Sequence, residues 1–292
     1  MNCRSYLYVP GDRNDRLGKA LSRSADALIL DLEDAVLGKD KEVARRNVRE
    51  FLLSQLKSDV PIWVRLNHGR ERSRDLEMTA DLPRLSGFIP AKVENAHELH
   101  ELDDALSSMG SDHPVAPLIE SAAGVVNMED IASAPRVVTL HLGEVDLAAD
   151  VALEPSADEY ELLYARTRAV FISRARGLTA PVAPVSTDLI DVAQLQTTAR
   201  RLRRLGFFGR ACIHPTQVAI ANAVFSPTAA DLEWARSTLE DYETAAQGAI
   251  RGASGAMIDE AVVIRARKLL DQQHHSGKDT APSSSRADCE HR

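Results

Sequence analysis

The chain has 292 residues, 44% of them hydrophobic and 27% charged, the balance of a globular protein with a substantial core. A formal net charge of −8 argues against nucleic acid as a general partner, and Arg200, Arg201, Arg203 and Arg204 fall in one helical stretch that reads as a solvated face. The start, MNCRSYLYVPGDRNDR, has no apolar run of signal length, and nowhere do about 18 consecutive apolar residues occur to span a bilayer, so no membrane association and a cytoplasmic protein are expected.

Short segments rich in Val, Ile and Leu alternate with longer amphipathic ones, the pattern of parallel strands buried on both faces and joined by helices. Strands are predicted over Tyr6 to Pro10, Ala27 to Glu33, Ile62 to Asn67, Phe88 to Val93, Val115 to Ser121, Val137 to Gly143, Pro181 to Ser186 and Ala211 to His214. Helices are predicted over Asp40 to Leu56, Ala96 to Met109, Asp158 to Arg176 and Leu189 to Leu205, with Gly177 and Gly206 where C-terminal caps belong. A doubly wound open sheet uses the same alternation, but no G-x-G-x-x-G follows the first strand, and a length of about 250 residues suits one (β/α)₈ barrel. The expected fold is therefore an α/β TIM barrel over residues 1–225.

Residues 226–271 read as a C-terminal helical extension: a helix from Pro227 to Gln247, a Gly/Ala/Ser stretch whose Gly248, Gly252 and Gly255 suit a mobile loop, and a last helix ending near Leu270. Residues 272–292 have almost nothing to bury and are expected to be a disordered tail, in which His274 and His275 read as polar residues rather than metal ligands. Cys3, Cys212 and Cys289 are odd in number and far apart, so neither a disulfide framework nor a thiolate metal site is suggested.

In a barrel the site forms at the carboxyl ends of the strands. The polar residues collected there are Asp12 and Arg13, then Asp31, Glu33 and Asp34, Arg65 and Asn67, Lys92 and Glu94, Glu120, Glu144 and Asp146, and His214. Glu120 and Asp146 stand at the tips of adjacent strands, where two carboxylates can share one cation. Magnesium suits such a pair, because it wants an octahedral shell of oxygens and leaves positions for water or substrate. A strand-end Glu also serves as a helix cap or ion-pair partner, and that reading stands beside the metal one. Arg65 offers a planar fork that binds a carboxylate bidentately, or else pairs with Asp31, Glu33 or Asp34. Alternation in LDLEDAV puts Asp31 and Glu33 on one face, and Asp34 at the turn as a cap.

The ordered motifs VPGDR, LDLEDAV, VRLN, AKVENA, IESAAG, LGEVDLAAD, CIHPTQV and GAMIDEAVV, running from Leu7 to Leu270, resemble the citrate lyase beta-subunit-like, acyl-CoA lyase branch of the HpcH/HpaI aldolase family. The resemblance implies a homotrimer or a multiple of it, Mg²⁺ on Glu120 and Asp146, Arg65 on the oxo acid, and Asp31 and Glu33 supporting the metal's waters. It also implies that Asp259, otherwise a helix N-cap, is the acid/base on a C-terminal lid that closes over a neighbouring subunit's site. Arg13 and Lys92 are the candidates for coenzyme A contact, although proline precedes Lys92 by two residues here instead of one. Ala122 and Ala123 follow the IES motif where an arginine is common. The implied function is Mg²⁺-dependent carbon–carbon lysis, or Claisen formation, of a 3-hydroxyacyl-CoA such as malyl- or citramalyl-CoA, giving an acyl-CoA and a 2-oxo acid. The alternatives are a citrate lyase beta subunit acting on a carrier-bound thioester, a metal-dependent aldolase on free 2-oxo acids, and a catalytically silent metabolite-binding barrel.

Overall fold

Alternation along each strand sorts its residues between two layers. In SYLYVP, Leu7 and Val9 join a large apolar cluster with Leu28, Leu30, Val64 and the helices, whereas Tyr6 and Tyr8 pack with Ile29, Trp63, Ile89 and Leu118 in a second, smaller cluster. Two separate apolar layers on a single parallel sheet are what a closed sheet requires, one outside it and one filling its lumen. The structure, a computed structural model, describes residues 3–55, 58–244, 249–252 and 255–276, with side chains as far as Gln272.

The strands are β1 (Ser5–Pro10), β2 (Ala27–Asp31), β3 (Ile62–Leu66), β4 (Gly87–Pro90), β5 (Leu118–Ile119), β6 (His141–Leu142), β7 (Val182–Ala183) and β8 (Gly209–Cys212). They form one eight-stranded parallel sheet in the order β4-β3-β2-β1-β8-β7-β6-β5. Val115 bridges Phe88 on one side and Val137 on the other, with Ala116 N–H donating to the Phe88 carbonyl at 2.8 Å, so the ends of the sheet meet and the barrel closes. Between and after the strands run α1 (Asn14–Ala20), α2 (Lys41–Ser54), α3 (Arg70–Thr79), α4 (Ala96–Ser108), α5 (Ala122–Val126), α6 (Met128–Ala132), α7 (Glu144–Asp150), α8 (Leu163–Ala175), α9 (Val192–Leu205) and α10 (Pro215–Phe225).

All eight predicted strands are present, but β5, β6 and β7 are shorter than the apolar runs that predicted them. Proline is the main cause for two of them: Pro114 and Pro117 flank Val115 and Ala116, and Pro181 and Pro184 flank β7, and a residue without N–H cannot continue a ladder. The helices end where their caps dictate. Asp191 accepts from Gln194 N–H at 2.8 Å to start α9, and Gly206, at φ 112°, ends it in the left-handed region that glycine enters without a Cβ penalty.

The chain divides into two compact units, Met1–Phe225 and the part from Ser226 onward. The second contains α11 (Ala229–Thr244), β9 (Ile250–Arg251), β10 (Met257–Ile258) and α12 (Glu260–Ser276). Trp234 on α11 stacks under the Arg265 guanidinium of α12 at 4.9 Å, and Tyr242 donates to Glu260 at 3.1 Å. In the glycine-rich stretch, β9 and β10 pair antiparallel on either side of Gly252 and Gly255, and Ile258 is buried. Residues 272–276, expected to belong to a disordered tail, are helical instead, because α12 continues through Ser276: once a helix is nucleated, Gln and His propagate it at little cost. Gly248 and residues 277–292 lie outside the described residues. Among those described, no helix is long and apolar enough to cross a membrane.

Candidate active site

The register of β2 against β3 sets Asp31 directly beside Arg65, both facing inward at the carboxyl ends of their strands. Arg65 Nε and Nη2 donate to the two oxygens of Asp31 at 2.7 and 2.5 Å, and Nη1 lies 3.0 Å from Glu33. The guanidinium also lies 5.0 Å from the centre of the Tyr8 ring. The ion pair that the sequence offered Arg65 is thus formed. Lys92, whose backbone sits at φ 55°, reaches Glu33 with its ammonium at 2.9 Å and Asp34 at 3.4 Å. The hydrogen bond to Glu33 holds the Lys92 ammonium above its ordinary value.

Glu120, at the end of β5, is 3% exposed. One of its oxygens accepts the Lys92 backbone N–H at 2.7 Å. Burial pushes its carboxyl up to about 8; Asp146 pushes in the same direction, while the Lys92 N–H and Arg65 oppose them. Gly143, after β6, is what lets Glu120 lie there. A Cβ at that position would stand 2.6 Å from Glu120 Oε2 and 2.7 Å from its Cβ. Glu120, Asp146, Asp31 and Arg65 all line a cavity of about 410 Å³, together with Tyr8 and His141.

The remaining strand-end residues separate into those that join this cavity and those that do not. Arg13 is exposed and pairs with Asp15 at 3.3 Å. Asn67 is buried in a hydrogen-bonded cluster with Leu32, Asp75 and Lys41. Glu94 is exposed, and His214, also exposed, bonds Thr216 at 2.8 Å. Glu144 borders the cavity, but both of its oxygens are taken by Arg166 at 2.6 Å. In the second unit, Asp259 Oδ1 accepts from Val262 N–H at 3.1 Å and so caps α12.

Sequence reasoning missed Tyr8, His141, Gly143 and Arg166. Tyr8 and His141 lie within predicted strands at positions whose alternation points them into the lumen. A hydrogen-bonding side chain interrupting an apolar run was the signal available. Arg166 gave none, because its partner is supplied by a different helix.

Among the described residues, no three His, Cys, Asp or Glu side chains converge as a metal-holding group. Asp146, expected at a strand tip, lies in the first turn of α7; a cation held by it and Glu120 would keep most of its coordination shell for water and ligand, as Mg²⁺ prefers. The charge balance fits a cation as well. Asp31, Glu33, Asp34, Glu120 and Asp146 outnumber Arg16, Arg65 and Lys92 around the cavity, and the proton that burial and Asp146 hold on Glu120 is one a divalent ion would displace.

An acid-rich cavity at the carboxyl end of a parallel barrel defines the class: a (β/α)₈ enzyme whose site is assembled from several strand ends. The model of the HpcH/HpaI aldolase/citrate lyase family matches residues 4–215, and the chain belongs to that family of lyases. It is 33% identical over 276 residues to a citrate lyase subunit beta-like protein of Deinococcus radiodurans, covering 92% of this chain and 97% of that one. It is 34% identical to a (3S)-malyl-CoA thioesterase of Cereibacter sphaeroides, covering 91% and 93%. The crystal structure of CitE from Mycobacterium tuberculosis in complex with magnesium, acetoacetate and coenzyme A superposes with a TM-score of 0.81 at 29% identity, covering 94% of this chain and 99% of that one.

Proposed function

We propose that the protein is a Mg²⁺-dependent carbon–carbon lyase that cleaves a 3-hydroxyacyl-CoA, or forms it by Claisen condensation, releasing an acyl-CoA and a 2-oxo acid. The observation that carries this reading is the buried Glu120 with the half-buried Asp146 in a cavity that Arg65 also lines. The binding of magnesium, an oxo acid and coenzyme A by the mycobacterial relative supports it.

Glu120 and Asp146 would hold the ion, which when bound polarises the carboxylate and neighbouring oxygen of the substrate. Asp31 and Glu33 fix the Arg65 guanidinium at the cavity wall, where it offsets charge that develops on the substrate oxygen. Lys92 positions Glu120 through its backbone N–H and draws Glu33 and Asp34 together through its ammonium. Arg13, exposed and paired among the described residues only with the exposed Asp15, is the better placed of the two to meet coenzyme phosphates, since the Lys92 ammonium is held by Glu33 and Asp34. Asp259, supplied from the C-terminal unit of a neighbouring subunit in a homotrimer, would take the hydroxyl proton as the carbon–carbon bond breaks and return it to the acyl-CoA enolate carbon.

The thioesterase relative favours a second reading, in which water attacks the thioester carbonyl of the same hydroxyacyl-CoA. A panel of malyl-, citramalyl- and citryl-CoA incubated with Mg²⁺ separates the two. A lyase releases glyoxylate, pyruvate or oxaloacetate with an acyl-CoA. A thioesterase releases the intact hydroxy acid and free thiol. No metal-dependent product from any thioester would overturn both.

A further inference from the structure

His141 is 2% exposed and lines the cavity, yet neither of its ring nitrogens has a hydrogen-bond partner among the described residues. Its one specific contact is an edge-on approach to the Tyr6 ring at 5.4 Å. A buried imidazole normally pairs both nitrogens, so one that borders a cavity without a protein partner is open to a ligand there. The Tyr8 hydroxyl is likewise without a protein partner among the described residues, and Tyr8 lines the same cavity.

The register fixes the level of His141. It pairs with Leu118, two residues before Glu120 on β5, and it precedes Gly143 by two residues on its own strand. It therefore faces the lumen one layer below Glu120, a rise of about 6–7 Å. Around it the wall is otherwise apolar, with Leu118, Val185 and Ala211.

We propose that His141 is a specificity-determining residue that donates a hydrogen bond from the cavity floor to an oxygen on the substituent of the 2-oxo acid, so that the enzyme prefers oxo acids with a carboxylate or hydroxyl there over glyoxylate or pyruvate. The inference rests on the lyase reading above. Burial, which pushes the imidazole down to about 3, leaves it a neutral donor at working pH, suited to either kind of oxygen.

The test compares kcat/KM in the condensation direction for oxaloacetate, hydroxypyruvate, pyruvate and glyoxylate, in the full-length protein with Mg²⁺ and acetyl-CoA. His141→Leu is expected to lower kcat/KM for whichever oxygen-bearing acid is preferred by about 10- to 100-fold, mainly through KM, and to leave pyruvate nearly unchanged. His141→Gln restores part of the preference and serves alone if the Leu variant does not fold. The two oxygen-bearing acids separate a carboxylate partner from a hydroxyl one. As a second readout, protein labelled with ¹⁵N-histidine should show the ring resonances missing from the variant shifting when the preferred acid is added with Mg²⁺. Turnover with unchanged discrimination, or no shift of those resonances, overturns this inference alone. Absence of turnover for all four acids overturns the lyase reading and this inference with it.

Discussion

Glu144 and Asp146 stand two residues apart on the same short helix and belong to opposite electrostatic neighbourhoods. Glu144 is gripped at both oxygens by Arg166, which is itself buried and holds Glu159 at 2.8 Å with a third nitrogen. Every strong donor in that cluster has an acceptor inside the protein. Asp146 belongs to the other cluster, where it adds to the burial that keeps a proton on Glu120. The first cluster is complete without a ligand; the second is acid-rich and faces a cavity. The same residue types thus make a structural clamp where charges balance and a receptive site where they do not.

The sharpest way to break this contrast is Glu120→Gln. Taking away one of two carboxylates should abolish cation-dependent turnover, by about 10³-fold or more for several kcal/mol of lost metal catalysis, while the melting temperature holds. A calorimetric titration showing Mg²⁺ binding unchanged in this variant would falsify the metal assignment. Arg166→Met should do the reverse. Leaving Glu144 unpaired, and Glu159 only with Arg201 at 3.5 Å, costs about 3–5 kcal/mol, read as a fall of roughly 10 °C in thermal denaturation. If that variant melts like the parent, the clamp is not structural.

Gly143→Ala probes the boundary between the clusters. The new methyl group must push Glu120 aside, and a loss of about 10- to 100-fold in Mg²⁺ affinity is expected, in the range seen when a ligand's support is disturbed. Retained affinity would mean that Glu120 is not held where the close contact implies. The smallest effect is that of pH. Because Glu120 keeps its proton up to about 8, cation binding must expel it, so affinity should rise about tenfold per pH unit below 8 and level off above. Titrations in two buffers of different ionisation enthalpy should show about one proton released per ion at pH 7. A flat profile from pH 6 to 8 would remove Glu120 from the ion's shell.

The eight strands, most of the helices and the strand-end position of Glu120 were legible because they depend on local rules: hydrophobic period, caps and the side on which a barrel strand ends; Asp146, expected at a strand tip, lies instead in the first turn of α7. Strand lengths were overestimated where local breakers cut an apolar run: the runs around Val115 and Val182 keep only part of their ladders because prolines flank them. Asn67, Glu94 and His214 also follow predicted strands, but their side chains are hydrogen-bonded elsewhere or exposed, which only the closed barrel reveals.

Sequence by itself determined that this chain builds a parallel barrel and that acidic groups and an arginine collect at its carboxyl end, since chain order and alternation are properties of the residues in line. The tertiary structure decided which of those charges cancel. Register put Asp31 against Arg65, helix packing gave Glu144 to Arg166, and burial left Glu120 protonated beside Asp146 above a histidine with no partner of its own. Charge balance at a site is a sum over neighbours distant in sequence, and that sum exists only once the barrel has closed.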